Sequence, residues 1–340
     1  MRYLPDNKVR FEWMGIPRWH AAGYLGQGMK FLVVDADTDL GVVRYPDKVH
    51  AFKESGKANW RYNYGYHGLM TIDILQQICP EAEIYFVGKQ YSLTDAIRWG
   101  ISNGVDIATV SLGYNWQCIS ATVSQQAIDS GMLLLTSAGN EGDLPEDLKG
   151  YPGKMKTWVA VGAAMVQADG TVERLSYSAT GPGLEVMGMS HLFVDFPDLS
   201  QPYVYTGTSC ASPSLAGCLA LMEQKMGDLT KEQVREMFTR YCVDMDEPGR
   251  DDKTGWGLFK MPDPYSHLPG KKIRLQIDNL NATVDGVGFN LDAPPMIVNS
   301  RTMVPLSFIA RQLGHHVEWI EATREIVITE GGKPDDAVAY

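Results

Sequence analysis

Apolar positions follow two different periods between residues 31 and 242. Short apolar runs rich in β-branched residues predict strands, and apolar residues spaced three or four apart predict helices. The predicted strands are 31–35, 83–87, 105–111, 132–137 and 158–163. The predicted helices are 67–79, 93–104, 120–131, 209–226 and 231–242. Because strands alternate with helices, the pattern predicts an α/β fold with a doubly wound, mostly parallel sheet.

The pattern changes after a proline-rich stretch at residues 263–271. Beyond it, residues 272–278 and 324–329 predict strands, residues 282–292 predict a hairpin turning at Asp285-Gly286, and residues 304–314 predict an amphipathic helix closed by Gly314. The predicted organisation is a large domain over 1–262 with an N-terminal extension over 1–13, a linker over 263–271, a small α+β domain over 272–331 and a tail over 332–340.

The small domain carries apolar residues that need a partner. About sixty residues form only a marginal core, so we expect these side chains to be buried against the rest of the chain, a second copy or another protein. Dimerisation is the preferred hypothesis. The residues concerned are Ile273, Leu275, Val304, Phe308 and Ile309.

Charge and cysteine content limit the binding partners and the cellular location that we expect for this protein. With 30 basic and 41 acidic residues the net charge is −11, which argues against nucleic-acid binding and against attraction to an anionic membrane. The N-terminus lacks the apolar core of a signal peptide, and the five cysteines show no paired short spacings. We therefore expect a cytoplasmic protein with reduced thiols, or a secreted one if an upstream segment has been removed.

Four polar residues follow apolar strands or open helices. Asp35 ends the strand FLVVD, and His67 opens a helix after YGY. Asn140 lies in the loop SAGNEGD, and Ser209 begins the long helix in GTSCASP. Each alone is explained by a turn, a cap or an exposed polar position. Together they supply the nucleophile, base, orienting acid and oxyanion donor of an acyl-transfer enzyme, gathered at the carboxyl ends of the strands.

In this order the four segments resemble the motifs of the subtilisin-like serine protease (subtilase) family, and the resemblance covers residues 14–260. It implies a serine endopeptidase that hydrolyses protein or peptide substrates with the triad Asp35, His67 and Ser209. It also implies that Asn140 stabilises the oxyanion. The strand implied to bind an extended substrate comprises Ser111, Leu112, Gly113 and Tyr114. Candidates for the primary pocket are Tyr114, Glu141 and Gly142.

Departures from the family pattern leave the triad complete. Asp37 stands where glycine is usual, Met70 and Ser214 where histidine is usual, and Cys210 where methionine is usual. We expect Asp37 to alter the pKa or orientation of Asp35 through like charge. We expect oxidation of Cys210 to reduce activity if its thiol is reachable.

Two alternatives to this interpretation predict different sequence features. A degenerate subtilase used as a binding or regulatory module would lack a triad member. An esterase of the α/β-hydrolase kind would carry G-x-S-x-G before its acid and histidine, whereas Ser209 comes last. Subtilases often have an inhibitory pro-segment; here we expect a mature form, or control by a short extension such as residues 1–11.

Residues 272–331 resemble the copper amine oxidase N-terminal-like domain, an accessory module that does not imply copper chemistry. Adjacent residues on a strand point to opposite faces, so His315-His316 does not predict a metal site. No cofactor is expected to be required. Calcium is possible because it is common in subtilases, and the acidic stretch 244–252 is the candidate region.

Overall fold

Ten strands of the first 265 residues build one large sheet, two more form a separate antiparallel pair, and those beyond residue 272 form small antiparallel sheets. The computed structural model describes residues 3–56, 65–114, 116–142, 150–167, 169–196, 200–265, 273–284, 287–312 and 315–330. The chain divides into two units, Met1–Ser266 and His267–Tyr340.

The strands of the N-terminal unit are β1 (Lys30–Asp35), β2 (Val49–Ala51), β3 (Glu83–Gly88), β4 (Ile107–Val110), β5 (Leu133–Ser137), β6 (Val159–Val166), β7 (Val172–Arg174), β8 (Leu184–Met189), β9 (Leu192–Val194), β10 (Tyr203–Tyr205), β11 (Cys242–Val243) and β12 (Leu258–Phe259). Its α-helices are α1 (Lys8–Met14), α2 (Ile16–Ala21), α3 (His67–Ile78), α4 (Leu93–Ser102), α5 (Ala121–Asp129), α6 (Thr208–Met226) and α7 (Lys231–Tyr241).

Ten of these strands form a sheet in the order β11-β12-β8-β6-β5-β4-β1-β3-β2, with β7 paired to β6. The pairs from β2 through β8 along this path are parallel, while β7 and β11 pair antiparallel to their neighbours. The chain crosses from one side of β1 to the other between β3 and β4. This confirms the predicted doubly wound, mostly parallel sheet, and it places a topological switch point beside β1.

Helices cover both faces of the sheet. Leu32 and Val34 of β1 pack in a buried cluster with residues of α4 and α5, such as Ile97 and Val123. Because side chains alternate along a strand, Asp35 points to the opposite face, where α3 and α6 lie together. The strand period therefore directs the Asp35 carboxylate towards the two helices that begin with His67 and Thr208.

α3 and α6 approach closely because α6 carries a glycine at their contact. A Cβ added at Gly217 would lie 2.8 Å from Cγ2 of Ile78. α6 is buried from Thr208 to Glu223, consistent with its predominantly apolar sequence. Two buried helices in contact hold their N-terminal ends in a fixed relation.

The N-terminal segment is built into the core of its unit. Phe11 and Trp19 are fully buried in α1 and α2. Asn7 donates to Oε1 of Gln77 at 3.0 Å and to the carbonyl of Phe193 at 2.7 Å. The nitrogen of Leu4 also donates to Gln77 Oε1, at 3.0 Å. The described part of the predicted extension thus joins the far end of α3 to β9.

The C-terminal unit is a small α+β region, as predicted. Its elements are β13 (Ile273–Arg274), β14 (Asn281–Val284), β15 (Val287–Asn290), β16 (Met296–Val298), β17 (Arg301–Met303), α8 (Leu306–Gln312), β18 (His315–Ile320) and β19 (Glu325–Glu330). All its strand pairs are antiparallel. The hairpin of β14 and β15 is present, while its predicted turn at Asp285-Gly286 and the closing Gly314 lie outside the described residues.

One predicted strand of this unit is wrong in length. The strand expected over 272–278 ends at Arg274, because a turn follows in which Asp278 has a left-handed φ of 61°. The hairpin of β16 and β17 was not predicted. Its turn residues Asn299 and Ser300 both have positive φ, which suits the right-handed twist of a two-residue hairpin. Within the described residues, no helix is long and apolar enough to cross a membrane.

Candidate active site

Asp35 and His67 form a hydrogen-bonded pair at the carboxyl end of β1. Nδ1 of His67 contacts Oδ1 of Asp35 in a short hydrogen bond. Asp35 is fully buried, and His67 is partly exposed at the first turn of α3. A buried carboxylate on Nδ1 fixes the tautomer whose Nε2 is free to accept a proton.

Two further groups hold the Asp35 carboxylate. The backbone nitrogen of Ala36 donates to Oδ1 at 2.6 Å, and the hydroxyl of Thr71 donates to Oδ2 at 2.7 Å. Thr71 lies one helical turn after His67, so the same face of α3 presents both side chains to Asp35. Three donors therefore fix a carboxylate that has no solvent contact.

The electrostatics of His67 have opposing causes. Burial lowers its pKa, but the charge of Asp35 and the hydrogen bond to it raise the pKa by more, while Lys89 lowers it slightly. The net pKa lies above the usual value of 6.5. The imidazolium form is thus favoured relative to a free histidine.

Ser209 lies in the first turn of the buried helix α6. Gly207 caps this helix with φ 90°, a conformation that favours glycine, and its nitrogen is held by the hydroxyl of Tyr177 at 2.9 Å. Oγ of Ser209 lies 3.4 Å from the carbonyl oxygen of Ser111. The amides of a first helical turn lack partners within the helix, so the Ser209 N–H is available to an anion.

Asn140 is fixed by the residue before Ser209. Its Oδ1 accepts from the nitrogen of Thr208 at 2.9 Å and from the Thr208 hydroxyl at 3.1 Å. With the carbonyl oxygen engaged, the amide NH₂ is the group left to donate. Asn140 is exposed and lines the same cavity as His67 and Ser209.

These residues surround one cavity of about 360 Å³. Its lining comprises His67, Met70, Asn140, Tyr177, Tyr203, Tyr205, Thr206, Gly207 and Ser209. Of the three candidates for the primary pocket, Tyr114, Glu141 and Gly142 are all absent from this lining. Three tyrosines instead give the cavity aromatic walls.

Tyr205 stands beside the histidine base. Its hydroxyl lies 3.4 Å from Nε2 of His67, and the two rings meet edge to face at a centroid distance of 5.5 Å. Its oxygen also lies 3.0 Å from Oγ1 of Thr71. Among the described residues no hydrogen bond joins His67 to Ser209.

The predicted substrate strand follows β4 directly. Ser111 is buried and donates from its hydroxyl to the carbonyl of Ser209 at 3.1 Å. The backbone of Tyr114 is already paired with Tyr151, with N–O distances of 3.0 and 2.7 Å. Tyr114 therefore cannot offer these backbone groups to a substrate, whereas Gly113 before it is exposed.

The departures Asp37, Met70 and Ser214 have separate environments. Oδ1 of Asp37 accepts from Gly56 N at 2.8 Å and its Oδ2 from Gln90 at 3.1 Å, so this carboxylate is held by groups other than those that hold Asp35. Met70 lines the cavity. The hydroxyl of Ser214 donates to the backbone carbonyl of Met189 at 2.9 Å.

Cys210 does not meet the condition for the expected oxidation. It is fully buried, and burial raises the pKa of its thiol to about 12. A buried, protonated thiol is a poor nucleophile. All five cysteines are free, and Cys79 and Cys218 are buried like Cys210.

The acidic stretch 244–252 shows carboxylates that accept from its own backbone. Asp244 accepts from Gly249 N at 2.7 Å, and Asp251 accepts from Thr254 N at 2.8 Å. Within the described residues no group of three or more His, Cys, Asp or Glu could hold a metal ion. The possibility of calcium binding stays a prediction.

Sequence reasoning missed Thr71, Tyr177 and Tyr205. Thr71 lies in a helix whose buried residues also include the polar Asp73 and Gln77, and the two tyrosines lie in segments whose aromatic residues are typical of ordinary packing. The signal available was positional: Thr71 follows His67 by four residues, and Tyr205 precedes Ser209 by four.

Comparisons with known proteins agree with this geometry. Residues 55–257 match the subtilase family, and residues 266–328 match the copper amine oxidase N-terminal domain. The first match includes His67, Asn140 and Ser209 and begins after Asp35, which contacts His67.

Individual subtilisins and a solved structure are also similar to this chain. Subtilisin E of Bacillus subtilis (strain 168) is 29% identical over 245 residues, covering 65% of this chain and 62% of its own. Subtilisin DY of Bacillus licheniformis is 30% identical over 252 residues, covering 66% of this chain and 87% of its own. The match thus spans less than two thirds of the length of subtilisin E. Fervidolysin from Fervidobacterium pennivorans shares the fold with a TM-score of 0.60 at 21% identity, covering 75% of this chain and 46% of that one.

Proposed function

Because the chain belongs to the subtilase family, we propose that it is a serine endopeptidase that hydrolyses peptide bonds in protein or peptide substrates. Ser209 is the nucleophile, His67 the general base and Asp35 the group that orients the base. The observation that carries this assignment is the hydrogen bond from Nδ1 of His67 to the buried Asp35, together with the cavity that both His67 and Ser209 line.

The proposed reaction begins when Ser209 Oγ attacks the scissile carbonyl carbon and its proton passes to Nε2 of His67. The resulting imidazolium is stabilised by the ionised Asp35. His67 then gives this proton to the leaving amine, an acyl-enzyme remains on Ser209, and water releases it by the reverse sequence of proton transfers.

The proposed oxyanion site consists of the Asn140 side-chain amide and the backbone N–H of Ser209. Two contacts from Thr208 to Oδ1 support this role, because they orient the amide nitrogen of Asn140 away from Thr208. Donors fixed before the reaction stabilise developing charge without reorganisation.

We propose that an extended substrate adds as a strand along Ser111, Leu112 and Gly113. The backbone of Tyr114 is already paired with Tyr151, which supports substrate pairing that ends at Gly113. The proposed strand is therefore one residue shorter than the predicted strand Ser111 to Tyr114.

A fluorophosphonate probe tests the assignment directly. We expect one label per chain, mapped to Ser209 by mass spectrometry, and loss of both label and peptide hydrolysis in Ser209→Ala. Ser212→Ala is the matched control, since Ser212 is a buried serine of the same helix that bonds to Thr109. A label on another serine, with activity kept in Ser209→Ala, would refute the proposal.

A catalytically weak subtilase that acts as a binding module is the second candidate. The observation that favours it is that no hydrogen bond joins His67 to Ser209 among the described residues, while the hydroxyl of Tyr205 lies 3.4 Å from Nε2 of His67. It predicts that peptides bind with measurable affinity while neither hydrolysis nor fluorophosphonate labelling is detected. Apo geometry often tightens only when substrate binds, so the endopeptidase is the primary proposal.

For the C-terminal unit we propose a role in dimerisation or in recruiting a protein partner, with residues 263–271 as the linker. The support is a set of exposed apolar side chains in this unit, among them Ile297 (62%), Trp319 (52%) and Ile326 (53%). Trp319 and Ile326 are cross-strand partners, so they present one apolar patch.

A cytoplasmic location is likewise a proposal. Its support is the state of the cysteines, all of which are free. Cell fractionation with an antibody against the chain tests it, and recovery of the protein in the culture medium would contradict it.

A further inference from the structure

Two hydroxyl groups outside the proposed triad connect its acid and its base. Thr71 Oγ1 lies 2.7 Å from Oδ2 of Asp35 and 3.0 Å from the hydroxyl oxygen of Tyr205. That oxygen lies 3.4 Å from Nε2 of His67. Thr71 and Asp35 are fully buried and Tyr205 is 3% exposed, so the two contacts of Thr71 are shielded from water.

The number of protons fixes the direction of these bonds. The carboxylate of Asp35 only accepts, so Thr71 uses its one proton on Oδ2. The contact between Thr71 and Tyr205 then needs the proton of Tyr205. Because Tyr205 uses its one proton on Thr71, its hydroxyl oxygen can only accept hydrogen bonds from other neighbours.

The same accounting applies to His67. Its Nδ1 donates to Asp35, so the neutral ring has only a lone pair at Nε2. A lone pair on Nε2 and one on the Tyr205 oxygen do not attract each other. Once Nε2 carries the proton taken from Ser209, it can donate to Tyr205.

We propose that Thr71 and Tyr205 are positioning residues that favour the imidazolium form of His67, through the ordered hydrogen bonds Tyr205 to Thr71 to Asp35. The inference rests on the proposed function, in which this imidazolium forms as Ser209 attacks. Tyr205 then stabilises a state that exists during the reaction and not before it, which is the condition for accelerating the chemical step.

Other charged and titratable groups also lie near His67. Asp35 on β1 raises the pKa of His67, and Lys89 after β3 lowers it. Cys210 of α6 lies near Tyr205, and Tyr177 lines the cavity; burial raises the pKa of both, as it raises that of Tyr205 itself. These groups stay in place when the Tyr205 hydroxyl is removed.

The experiment is an NMR titration of the His67 ring nitrogens in full-length Ser209→Ala protein with isotopically labelled histidine. The His67 signals are assigned by their loss in His67→Ala. We expect Tyr205→Phe, which keeps the ring, to lower the pKa of His67 by roughly half to one pH unit, or about 3- to 10-fold in proton affinity. The matched control is Tyr203→Phe on the same strand, which should leave the titration unchanged.

The contribution of Thr71 is tested by repeating Tyr205→Phe in the Thr71→Val background. Without Thr71 as acceptor, Tyr205 is free to donate to neutral Nε2, so the substitution should no longer lower the pKa there. Thr71→Ser, which keeps the hydroxyl, should restore the decrease.

Three results would overturn the inference: an unchanged pKa in Tyr205→Phe, an increased pKa, or the same decrease with and without Thr71. Because the titration is read in a protein without its proposed nucleophile, it does not depend on hydrolysis. Failure of the proposed function would appear in the labelling experiment, and failure of this inference would appear in the titration.

In protein with Ser209, the acid limb of kcat/KM should move to lower pH in Tyr205→Phe while the plateau falls several-fold.

Discussion

Oδ1 of Asn140 accepts a hydrogen bond from the backbone nitrogen of Thr208, the residue that immediately precedes the proposed nucleophile. The loop after β5 and the first turn of α6 are thereby held in register. The amide that would meet the oxyanion and the serine that would create it are positioned by one contact.

We predict that Asn140→Ala lowers kcat about 10²- to 10³-fold with little change in KM, the magnitude known for subtilisin itself when this kind of donor is removed. Asn140→Asp is the informative companion, because it keeps an oxygen for Thr208 while removing the NH₂ group. Steady-state kinetics on a short peptide measure both. Full activity in Asn140→Asp would exclude the amide as an oxyanion donor.

The raised pKa of His67 predicts the acid limb of activity. His67 must be neutral to act as base, and its pKa lies above 6.5, so kcat/KM should fall as pH decreases through a midpoint above 6.5. Kinetics across pH 5 to 9 measure the midpoint, with circular dichroism at each pH as the control for folding. A midpoint below 6.5 would contradict the assignment of Asp35 as the partner of His67.

A buried carboxylate on α3 predicts a pH dependence of stability. Burial raises the pKa of Asp73 to about 6 from 3.8, although Arg44 at 2.8 Å opposes the increase. The folded state therefore binds this proton more tightly than the unfolded state, and the free energy of unfolding should fall as pH rises from about 4 to 6, by up to about 3 kcal/mol.

Asp73→Asn should remove this pH-dependent component, which chemical denaturation at pH 4, 5, 6 and 7 would measure. Asp47→Asn, at an exposed position, is the matched control and should keep the dependence of the unaltered protein. An identical dependence in Asp73→Asn would show that another group is responsible.

The thiol next to the proposed nucleophile should be unreactive. Cys210 is fully buried with its pKa raised to about 12, so iodoacetamide at pH 8 should leave it unmodified in folded protein and activity unchanged. Mass spectrometry of the same protein alkylated in urea provides the control, in which all five cysteines react. Modification of Cys210 in the folded protein would mean that α6 opens.

The residues proposed for catalysis all lie in the N-terminal unit, so a chain ending at Tyr265 should cleave a short peptide at a similar rate. Light scattering at equal concentration should show a dimer for the full chain and a monomer for the shortened one. Trp319→Lys in the full chain should also yield a monomer, because Trp319 is 52% exposed on the proposed contact patch. Monomers throughout would exclude dimerisation.

The sequence predicted the sheet well because its strands are uninterrupted apolar runs buried on both faces, as β1 and β4 illustrate. It was less informative where strands are short. β16 has all three residues exposed, so no hydrophobic alternation marks it, and its pairing depends on the positive φ values of Asn299 and Ser300.

Some residues of the candidate site could likewise be predicted from the sequence and others could not. Asp35, His67, Asn140 and Ser209 lie in motifs with local sequence signatures, which is why they could be predicted. Thr71 and Tyr205 could not, because a hydroxyl on a buried face is typical of ordinary packing. Their contacts with Asp35 and His67 arise only when α3, β1 and β10 come together.

The buried contacts of Asn7 bear on how a catalytic fragment of this protein should be cut. The resemblance to subtilases begins at residue 14, which invites a fragment starting there. Such a fragment would lose the donors that Asn7 and Leu4 supply to Gln77. It would leave a fully buried amide partly unsatisfied in the last turns of α3, whose first residue is His67. Recombinant boundaries should therefore include Leu4, and a purification tag belongs before it with a spacer.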